Sequence, residues 1–245
     1  MEDAVTGTAG GTTIGKVPGT VRIVEDVPAA FADTVVEAFA TRPGSPFSTF
    51  TLVLSGGPLA RRCYSRLADD GAASVDWDLV DVLMGDERCV PPDDPDANQL
   101  LVREALLDQV APVRSFLPMS CQAGPEAYEA VLAGFPTFDL LHLGMGPDGH
   151  TASLFPGSDA LDAPPGRLAL ASRDPNEANP HDRMSLTYEA IARAQLVVFT
   201  VAGKAKRDAF AALATGADLP AARVRAGEIL WLVDPEAAEG APGGS

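Results

Sequence analysis

The sequence predicts an α/β fold: a single domain with a Rossmann-like, mostly parallel β-sheet and helices on both faces. Short apolar runs alternate along the chain with helical patterns, and this alternation favours parallel strands covered by helices. The chain has 245 residues, of which 46% are hydrophobic, so it can bury one sizeable core. No internal repeat or central linker divides it. We therefore expect one domain over residues 20–235, between loose tails at residues 1–19 and 236–245 that are rich in Gly, Ala, Thr and Pro.

The apolar periodicity places the individual elements in order. Pro28 lies near the start of the first helix, whose apolar positions include Phe31, Val35 and Phe39. In an open parallel sheet, ligands bind beyond the carboxyl ends of the strands, so the loops that follow strands are the candidate site. The predicted strands cover residues 20–24, 50–54, 78–84, 138–143, 168–172, 184–187, 196–201 and 228–233, and the predicted helices cover residues 28–40, 59–68, 99–110 and 204–213.

Charge and hydropathy limit the partners of the chain. Acidic residues outnumber basic ones 34 to 18, and the net charge of -16 repels nucleic-acid phosphates and anionic membranes. A few Arg and Lys side chains in one cleft still suffice to bind a small anionic substrate. No apolar run approaches the roughly 18 residues of a membrane span, and the N-terminal residues lack the pattern of a signal peptide. We expect a small-molecule substrate and neither a nucleic-acid nor a membrane partner.

Cysteine and histidine usage gives further expectations. Cys63, Cys89 and Cys121 are far apart, odd in number and without a CxxC pair, which argues against a full disulfide framework and favours a reduced, cytoplasmic location. The three histidines and three cysteines have no recognisable metal-site spacing, so no metal is expected. His142 lies inside an apolar strand and is interpreted as a core histidine, whereas His181 lies in a polar loop and is interpreted as a surface residue.

The loop after residues 50–54 contains Gly56 and Gly57 and leads into a helix. Glycines let backbone N–H groups approach a ligand, and a helix N-terminus beyond them favours an anion. A tight strand-to-helix turn without a ligand has the same pattern, and it is the preferred interpretation when this loop is taken alone.

The loop after residues 78–84 contains Asp86, Glu87 and Arg88. Arg88 suits an anionic group, and Asp86 suits either the orientation of that arginine or the binding of sugar hydroxyls. A solvated loop with a local ion pair has the same composition, so this loop alone is ambiguous.

The loop after residues 138–143 gives the densest signal. His150 lies among Gly144, Gly146 and Gly149, with Asp148 two residues before it. Histidine titrates near neutral pH and suits proton transfer, and the glycines leave room for a substrate beside it. This setting favours a catalytic role for His150.

The same three glycines match the G-x-G-x-x-G dinucleotide fingerprint, but the following sequence argues against NAD. The fingerprint requires a helix directly after it, and residues 151–166 contain Pro156, Pro164 and Pro165, which prevent a full-length one.

The loop after residues 196–201 places Lys204 at the start of a helix. A cation is unfavourable at that end of the helix dipole, so a bound phosphate would explain its position. A lysine that reaches into solvent is the equally acceptable alternative.

Together these loops resemble the 6-phosphogluconolactonase family. Residues 143–156 (LGMGPDGHTASLFP) are close to its signature, and residues 85–91 (GDERCVP) followed by Asn98 resemble a second motif. Residues 183–187 (RMSLT), the Gly203-Lys204 pair and residues 229–234 (ILWLVD) are also similar. Two positions depart from the pattern: Pro58 directly follows the two glycines of the first loop, where the family commonly has Ser-Thr-Pro, and Gln99 stands where a tyrosine often follows the asparagine.

The resemblance implies a hydrolase that converts 6-phospho-D-glucono-1,5-lactone to 6-phosphogluconate in the pentose phosphate pathway. His150 would be the general base that activates water, with Asp148 orienting the imidazole or positioning the water. Neither a metal nor a cofactor is implied, because a lactone is already an activated ester. The resemblance also permits a monomer, which we expect.

The remaining site residues follow from the same resemblance. The phosphate would be bound by three cations, with help from the amides of the first loop, and the amides of the third loop would stabilise the oxyanion. Asn98 and Asp86 are further candidates for substrate binding. The implied phosphate-binding residues are Arg88, Arg183, Lys204, Gly56 and Gly57, and the implied oxyanion residues are Gly146 and Gly149.

Two alternatives remain. Glucosamine-6-phosphate deaminases have a related fold and a similar Asp-Gly-His loop, but that loop continues toward an asparagine and a glutamate, whereas no acid follows His150 here until Asp159. They also have a tyrosine in the position of Arg88. The second alternative is a non-catalytic sugar-phosphate-binding domain, which would use the cations and glycines without needing His150.

Overall fold

The computed structural model describes residues 11–45 and 47–243, so the expectations for residues 1–10 and 244–245 lie outside the described residues. Ten strands and seven α-helices form within these ranges. The strands are β1 (Thr20–Ile23), β2 (Phe50–Leu54), β3 (Val80–Met84), β4 (Asp86–Arg88), β5 (Ser115–Leu117), β6 (Phe138–Gly144), β7 (Ala169–Ser172), β8 (Arg183–Leu186), β9 (Ala194–Val201) and β10 (Glu228–Val233). The helices are α1 (Val27–Thr41), α2 (Pro58–Gly71), α3 (Asn98–Val102), α4 (Pro125–Leu132), α5 (Tyr188–Ile191), α6 (Arg207–Thr215) and α7 (Pro235–Ala238).

The main sheet has seven strands in the order β1-β10-β9-β6-β2-β3-β5, and every neighbouring pair is parallel. This confirms the predicted α/β fold with a mostly parallel sheet. β2 and β3 are buried at every position, as expected for strands whose two faces are both covered. Between β9 and β10, Phe199 and Trp231 are register partners whose rings stack with centroids 3.8 Å apart.

A second sheet was not predicted. It has three antiparallel strands in the order β4-β8-β7, and two of these had been expected to join the main sheet. β4 is only three residues long and follows β3 after the single residue Gly85, so apolar periodicity does not reveal it. β5 and α4 were also not predicted, because both are short and mix apolar with polar residues.

Two predicted helices change type along their length. The helix expected at residues 99–110 consists of α3 followed by a π-helical turn, Arg103–Leu107. The helix expected at residues 204–213 begins with a 3₁₀ turn, Lys204–Lys206, and continues as α6. Local hydrogen-bond type depends on tertiary packing and is not encoded in the apolar pattern.

The predicted N-terminal tail is wrong for its described part, residues 11–19. Ile14 and Val17 are buried in the core, and the Lys16 N–H donates to the Ala214 carbonyl at 2.8 Å. The indole N–H of Trp231 donates to the Pro18 carbonyl at 2.7 Å. These contacts order a segment whose composition alone does not predict order.

The C-terminal boundary is corrected in the same way for residues 236–243. Asp234 caps α7 because its Oδ1 accepts the Ala237 N–H at 2.8 Å, while its Oδ2 accepts the Gly203 N–H at 2.8 Å. Ala237 and Ala238 are buried. The end of the described chain therefore packs against the loop that follows β9. None of the described helices has the length and apolar character needed to cross a bilayer.

Two of the three cysteines form a disulfide, which the expected reduced location did not predict. Cys89, directly after β4, is bonded to Cys121 in the loop after β5, and Cys63 is free and buried in α2. An odd cysteine count excludes full pairing but allows one bridge with one thiol left over. The disulfide therefore fastens the end of β4 to the edge of the main sheet. The expected cytoplasmic location and monomeric state remain predictions.

Reduction of the Cys89–Cys121 disulfide should lower the free energy of unfolding by about 3–4 kcal/mol, because it releases a loop closed over 32 residues. Thermal denaturation with and without reductant measures this change. Thiol labelling of unfolded, unreduced protein should modify Cys63 alone. A Cys89→Ser/Cys121→Ser double variant is the control, since reductant should leave its stability unchanged. Labelling of all three cysteines before reduction would contradict the pairing.

Candidate active site

The four loops singled out from the sequence follow four neighbouring strands. β9, β6, β2 and β3 are adjacent in the centre of the main sheet. Because parallel strands end at the same edge, the loops after them meet there. The structure therefore brings the predicted glycine, arginine, histidine and lysine loops together.

The antiparallel pairing of β4 with β8 sets two arginines side by side. Arg88 is the register partner of Arg183. Arg183 is 6% exposed and its Nε is buried without a hydrogen-bond partner; the Nε of Arg88 is also buried and unpartnered. No ion pair to a carboxylate is found for either side chain among the described residues.

Burial lowers the pKa of Arg183, and the neighbouring charge of Arg88 lowers it further. Asp86, Glu87 and Asp174 oppose this change. The pair of like charges is therefore held in place by surrounding acids without being neutralised by a direct contact. Such an arrangement favours a bound anion with several oxygen acceptors.

Asp86 is buried and connects the loop after β3 with the loop after β6. Its carboxylate accepts hydrogen bonds from Asn98 Nδ2 at 3.3 Å and from Ser153 Oγ at 2.7 Å. Ser153 lies three residues after His150, so this contact joins the histidine loop to β4. Both carboxylate oxygens therefore bind protein groups, and neither bonds to Arg88 among the described residues. The expected role of Asp86 in orienting that arginine or binding sugar hydroxyls stays a prediction.

Asn98 begins α3 and lies against the first loop. Its Nδ2 also donates to the Asp86 carbonyl at 3.0 Å, while its Oδ1 is buried without a conventional partner. A Cβ at Gly56 would lie 1.7 Å from this oxygen, so any larger residue at position 56 would displace Asn98. The glycine is therefore required by a close approach of Asn98.

Glu87 holds the N-terminus of α3. Its buried carboxylate accepts the backbone N–H groups of Arg88 at 2.8 Å, Asn98 at 2.6 Å and Gln99 at 2.8 Å. Burial raises the pKa of Glu87, and the three N–H groups act against that rise. Sequence reasoning treated Glu87 only as part of an acidic loop, because its partners lie 11 and 12 residues further along the chain.

His150 and Asp148 form a direct pair at the end of β6. His150 Nδ1 lies 2.6 Å from Asp148 Oδ1, and the imidazole packs against the ring of Phe155 with centroids 4.8 Å apart. Burial raises the pKa of Asp148, but the hydrogen bond and charge of His150 outweigh burial and the pKa is lowered. The carboxylate is thus ionised at neutral pH and can accept a hydrogen bond from Nδ1–H, which leaves the Nε2 lone pair free to take a proton.

Gly146 has no side chain, and this leaves room for the neighbouring His150 and Asp148 side chains. A Cβ at Gly146 would lie 2.1 Å from His150 Nδ1 and 2.5 Å from Asp148 Oδ1, so only glycine allows the pair to form. The Gly146 N–H donates to the His150 carbonyl at 2.8 Å and the Gly149 N–H donates to the Gly146 carbonyl at 3.0 Å. Both amides are used within the loop, which corrects their expected role in stabilising an oxyanion.

The loop after β9 contains two lysines, and the expected role of Lys204 in phosphate binding stays a prediction. Lys204 is exposed, whereas Lys206, two residues later, is half-buried. Burial lowers the pKa of Lys206, and the nearby charge of Asp148 raises it. The charges of Lys206 and Asp148 are therefore close enough to attract each other. The sequence alone does not show this, because the burial of each lysine depends on its position in the 3₁₀ turn.

The first loop leaves backbone donors free. Neither the Gly56 nor the Gly57 N–H donates a hydrogen bond to a described residue. Gly57 is the N-cap of α2, and no side chain caps that helix. These N–H groups and the positive end of the helix dipole are suited to an anion.

The two other histidines behave as the sequence predicted. His142 is fully buried, with its nitrogens 2.8 Å from Tyr64 Oη and 2.9 Å from Thr200 Oγ1, which confirms a core histidine with satisfied hydrogen bonds. His181 is partly exposed and its Nε2 lies 2.9 Å from Asp96 Oδ2. The described residues contain no group of three or more His, Cys, Asp and Glu side chains arranged to hold a metal ion.

Comparisons with known proteins agree with this geometry. Residues 20–231 match the family described as glucosamine-6-phosphate isomerases/6-phosphogluconolactonase. The chain belongs to this family. The resemblance deduced from the sequence motifs is therefore confirmed.

Individual members of the family are similar over most of the chain. A 6-phosphogluconolactonase from Synechocystis sp. is 39% identical over 208 residues, which cover 77% of this chain and 83% of the relative. One from Mycobacterium leprae is 37% identical over 233 residues, covering 86% and 91%. The crystal structure of 6-phosphogluconolactonase from Leishmania guyanensis is 27% identical with a TM-score of 0.79, covering 91% of this chain and 98% of that one.

Glu87→Gln should destabilise the fold by about 1–3 kcal/mol, because one of the two acceptor oxygens at the start of α3 becomes a donor facing a backbone N–H. Chemical denaturation measures the change. Glu104→Gln is the matched control, since Glu104 is exposed and bonds only to Arg61 across the surface. Equal stability of the two variants would contradict the anchoring role of Glu87.

Proposed function

We propose that the chain hydrolyses 6-phospho-D-glucono-1,5-lactone to 6-phosphogluconate, the lactone-opening reaction of the oxidative pentose phosphate pathway. The observation that carries the proposal is the combination of the Arg88 and Arg183 pair with the His150–Asp148 pair at one edge of the sheet. The first pair suits a phosphate, and the second suits proton transfer. The 37–39% identical relatives with this activity add support.

The reaction begins with proton transfer to His150. Asp148 accepts a hydrogen bond from Nδ1–H, so Nε2 is the nitrogen that takes a proton from water as the water oxygen attacks the ring carbonyl carbon. The tetrahedral intermediate then collapses, the bond between C1 and the ring oxygen breaks, and the imidazolium returns its proton to the departing oxygen. In this scheme Asp148 orients the imidazole and stabilises its positive form.

The phosphate is assigned to Arg88 and Arg183. Their guanidinium groups offer N–H donors, although Arg88 Nη1 already donates to the Asp96 carbonyl at 2.6 Å, and the free amides of Gly56 and Gly57 add neutral donors. Because the amides of Gly146 and Gly149 are already used, negative charge that develops near His150 requires a cation instead. Lys206, beside Asp148, is suited to that role.

The geometry and the sequence also favour this function over the two alternatives. A non-catalytic binding domain has no need of an imidazole whose Nδ1 is held 2.6 Å from a carboxylate, with Gly146 required to make room for it. The deaminase alternative is disfavoured by Arg88 and by the absence of an acid between His150 and Asp159. An assay for ammonia release from glucosamine 6-phosphate tests that alternative directly.

His150→Ala should lower kcat by about 10²–10⁴-fold, because it removes the general base. Acid release from freshly prepared lactone in weak buffer, with a protein-free control for spontaneous opening, measures the rate. His181→Ala is the matched control and should keep wild-type turnover, since its imidazole bonds to Asp96 at the surface. Near wild-type turnover in His150→Ala would remove the base assignment. Background rates in the wild type would reject the lactonase function.

Lys206→Ala should lower kcat/KM at least about ten-fold, whereas Lys204→Ala should stay within about two-fold, because only Lys206 is half-buried beside Asp148. The two variants remove the same charge two residues apart. A fall in kcat would place Lys206 at the developing negative charge, and a rise in KM would place it at the phosphate. Equal effects of the two substitutions would overturn the assignment.

A further inference from the structure

A buried tyrosine lies directly beneath the first loop. Tyr64 in α2 is 0% exposed, and its hydroxyl binds both backbone groups of Ser55. The Ser55 N–H donates to Tyr64 Oη at 2.9 Å, and the hydroxyl donates to the Ser55 carbonyl at 2.7 Å. The residue just before Gly56 is thus fixed at two points by one side chain.

This clamp determines the direction of the Gly56 amide. No cis peptide occurs among the described residues, so the Ser55 carbonyl and the Gly56 N–H belong to one trans peptide and point in opposite directions. The carbonyl points into the core toward Tyr64. The Gly56 N–H therefore points out of the core, and it donates to no described residue.

The Ser55 carbonyl decides where Tyr64 donates its proton. Tyr64 Oη lies 2.8 Å from His142 Nδ1 as well as near the Ser55 carbonyl, yet a phenol has a single proton. That carbonyl accepts from no other described residue, so the tyrosine proton is assigned to it. Burial lowers the pKa of His142 to about 3, so the ring is neutral. Its proton is then assigned to Nδ1, which donates to Tyr64, while Nε2 accepts from Thr200 Oγ1 at 2.9 Å.

We propose that Tyr64 is a positioning residue that turns the Gly56 N–H into the site to bind the anionic group of the substrate. The proposal rests on the proposed function, because it takes that group to be the phosphate of the lactone. Tyr64 itself does not touch substrate. It acts by holding one peptide plane. His142 bonds to the Tyr64 hydroxyl, and Thr200 bonds to His142, so these two residues complete a buried hydrogen-bond chain.

The chain contains a matched control. Tyr128 is also buried, and its hydroxyl makes the same two contacts, with the Met84 N–H and carbonyl, each at 2.9 Å. Here the next amide, Gly85 N–H, donates to the Leu54 carbonyl at 2.7 Å and so is used inside the protein. Removing either hydroxyl removes the same two hydrogen bonds to one residue's backbone. Only the Tyr64 hydroxyl, however, orients a backbone N–H that is free to bind a ligand.

Tyr64→Phe keeps the ring and removes the hydroxyl. We expect the KM for the phosphorylated lactone and the dissociation constant of inorganic phosphate to rise together, roughly ten-fold or more, with kcat within about two-fold. Tyr128→Phe should lose stability while its phosphate affinity stays near wild type. Calorimetric titration with inorganic phosphate gives affinities without turnover, so this test stands even if the wild type fails to open the lactone. Unchanged phosphate affinity in Tyr64→Phe, or an equal loss in Tyr128→Phe, overturns the proposal.

A second measurement uses the wild-type protein, so it does not depend on the folding of a variant. In protein labelled with ¹⁵N-glycine, titration with inorganic phosphate should move the Gly56 amide proton downfield as it gains a charged acceptor. The Gly85 amide, already bonded to Leu54, should move little. A Gly56 amide that does not respond to saturating phosphate overturns the assigned direction of its N–H.

Discussion

The pairing of β4 with β8 is the constraint on which the candidate site depends. It makes Arg88 and Arg183 register partners, and two like charges in a partly buried position are held there only because the surrounding structure is rigid. Asp86 and Glu87, which precede Arg88 in β4, supply that rigidity through bonds to Asn98, Gln99 and Ser153. These two acids therefore bind other parts of the protein and form no ion pair with either arginine among the described residues, while Arg88 Nη1 donates to the Asp96 carbonyl.

The site combines elements of two kinds. The central strands of the parallel sheet set the positions of the loops. Because these strands are buried on both faces, their register fixes where each loop begins. Buried hydroxyl groups then set the directions of individual peptide planes, as Tyr64 does for Ser55 and Tyr128 does for Met84. A backbone amide held this way loses little entropy when a ligand binds, because its orientation is fixed before the ligand arrives.

Much of this arrangement could be predicted from sequence, and the failures have common physical causes. The central strands and the loops after them follow from apolar periodicity and from the rule that ligands bind at the carboxyl edge. β4 and the antiparallel sheet could not be predicted, because three residues carry no period. The deeper burial of Lys206 than of Lys204, the use of the Gly146 and Gly149 amides within their loop, and the anchoring role of Glu87 all depend on the fold. The order of residues 11–19 depends likewise on Trp231, more than 200 positions away.

The stacking of Trp231 on Phe199 has a spectroscopic consequence. The chain has two tryptophans; Trp231 lies inside β10 and Trp77 lies in the 3₁₀ turn before β3, and both are buried. Their indoles therefore sit in the apolar interior, and Trp231 in addition reports the docking of the segment that contains Pro18. Intrinsic fluorescence of this protein thus follows the integrity of the sheet and of its N-terminal segment, while events at the carboxyl edge need a different probe.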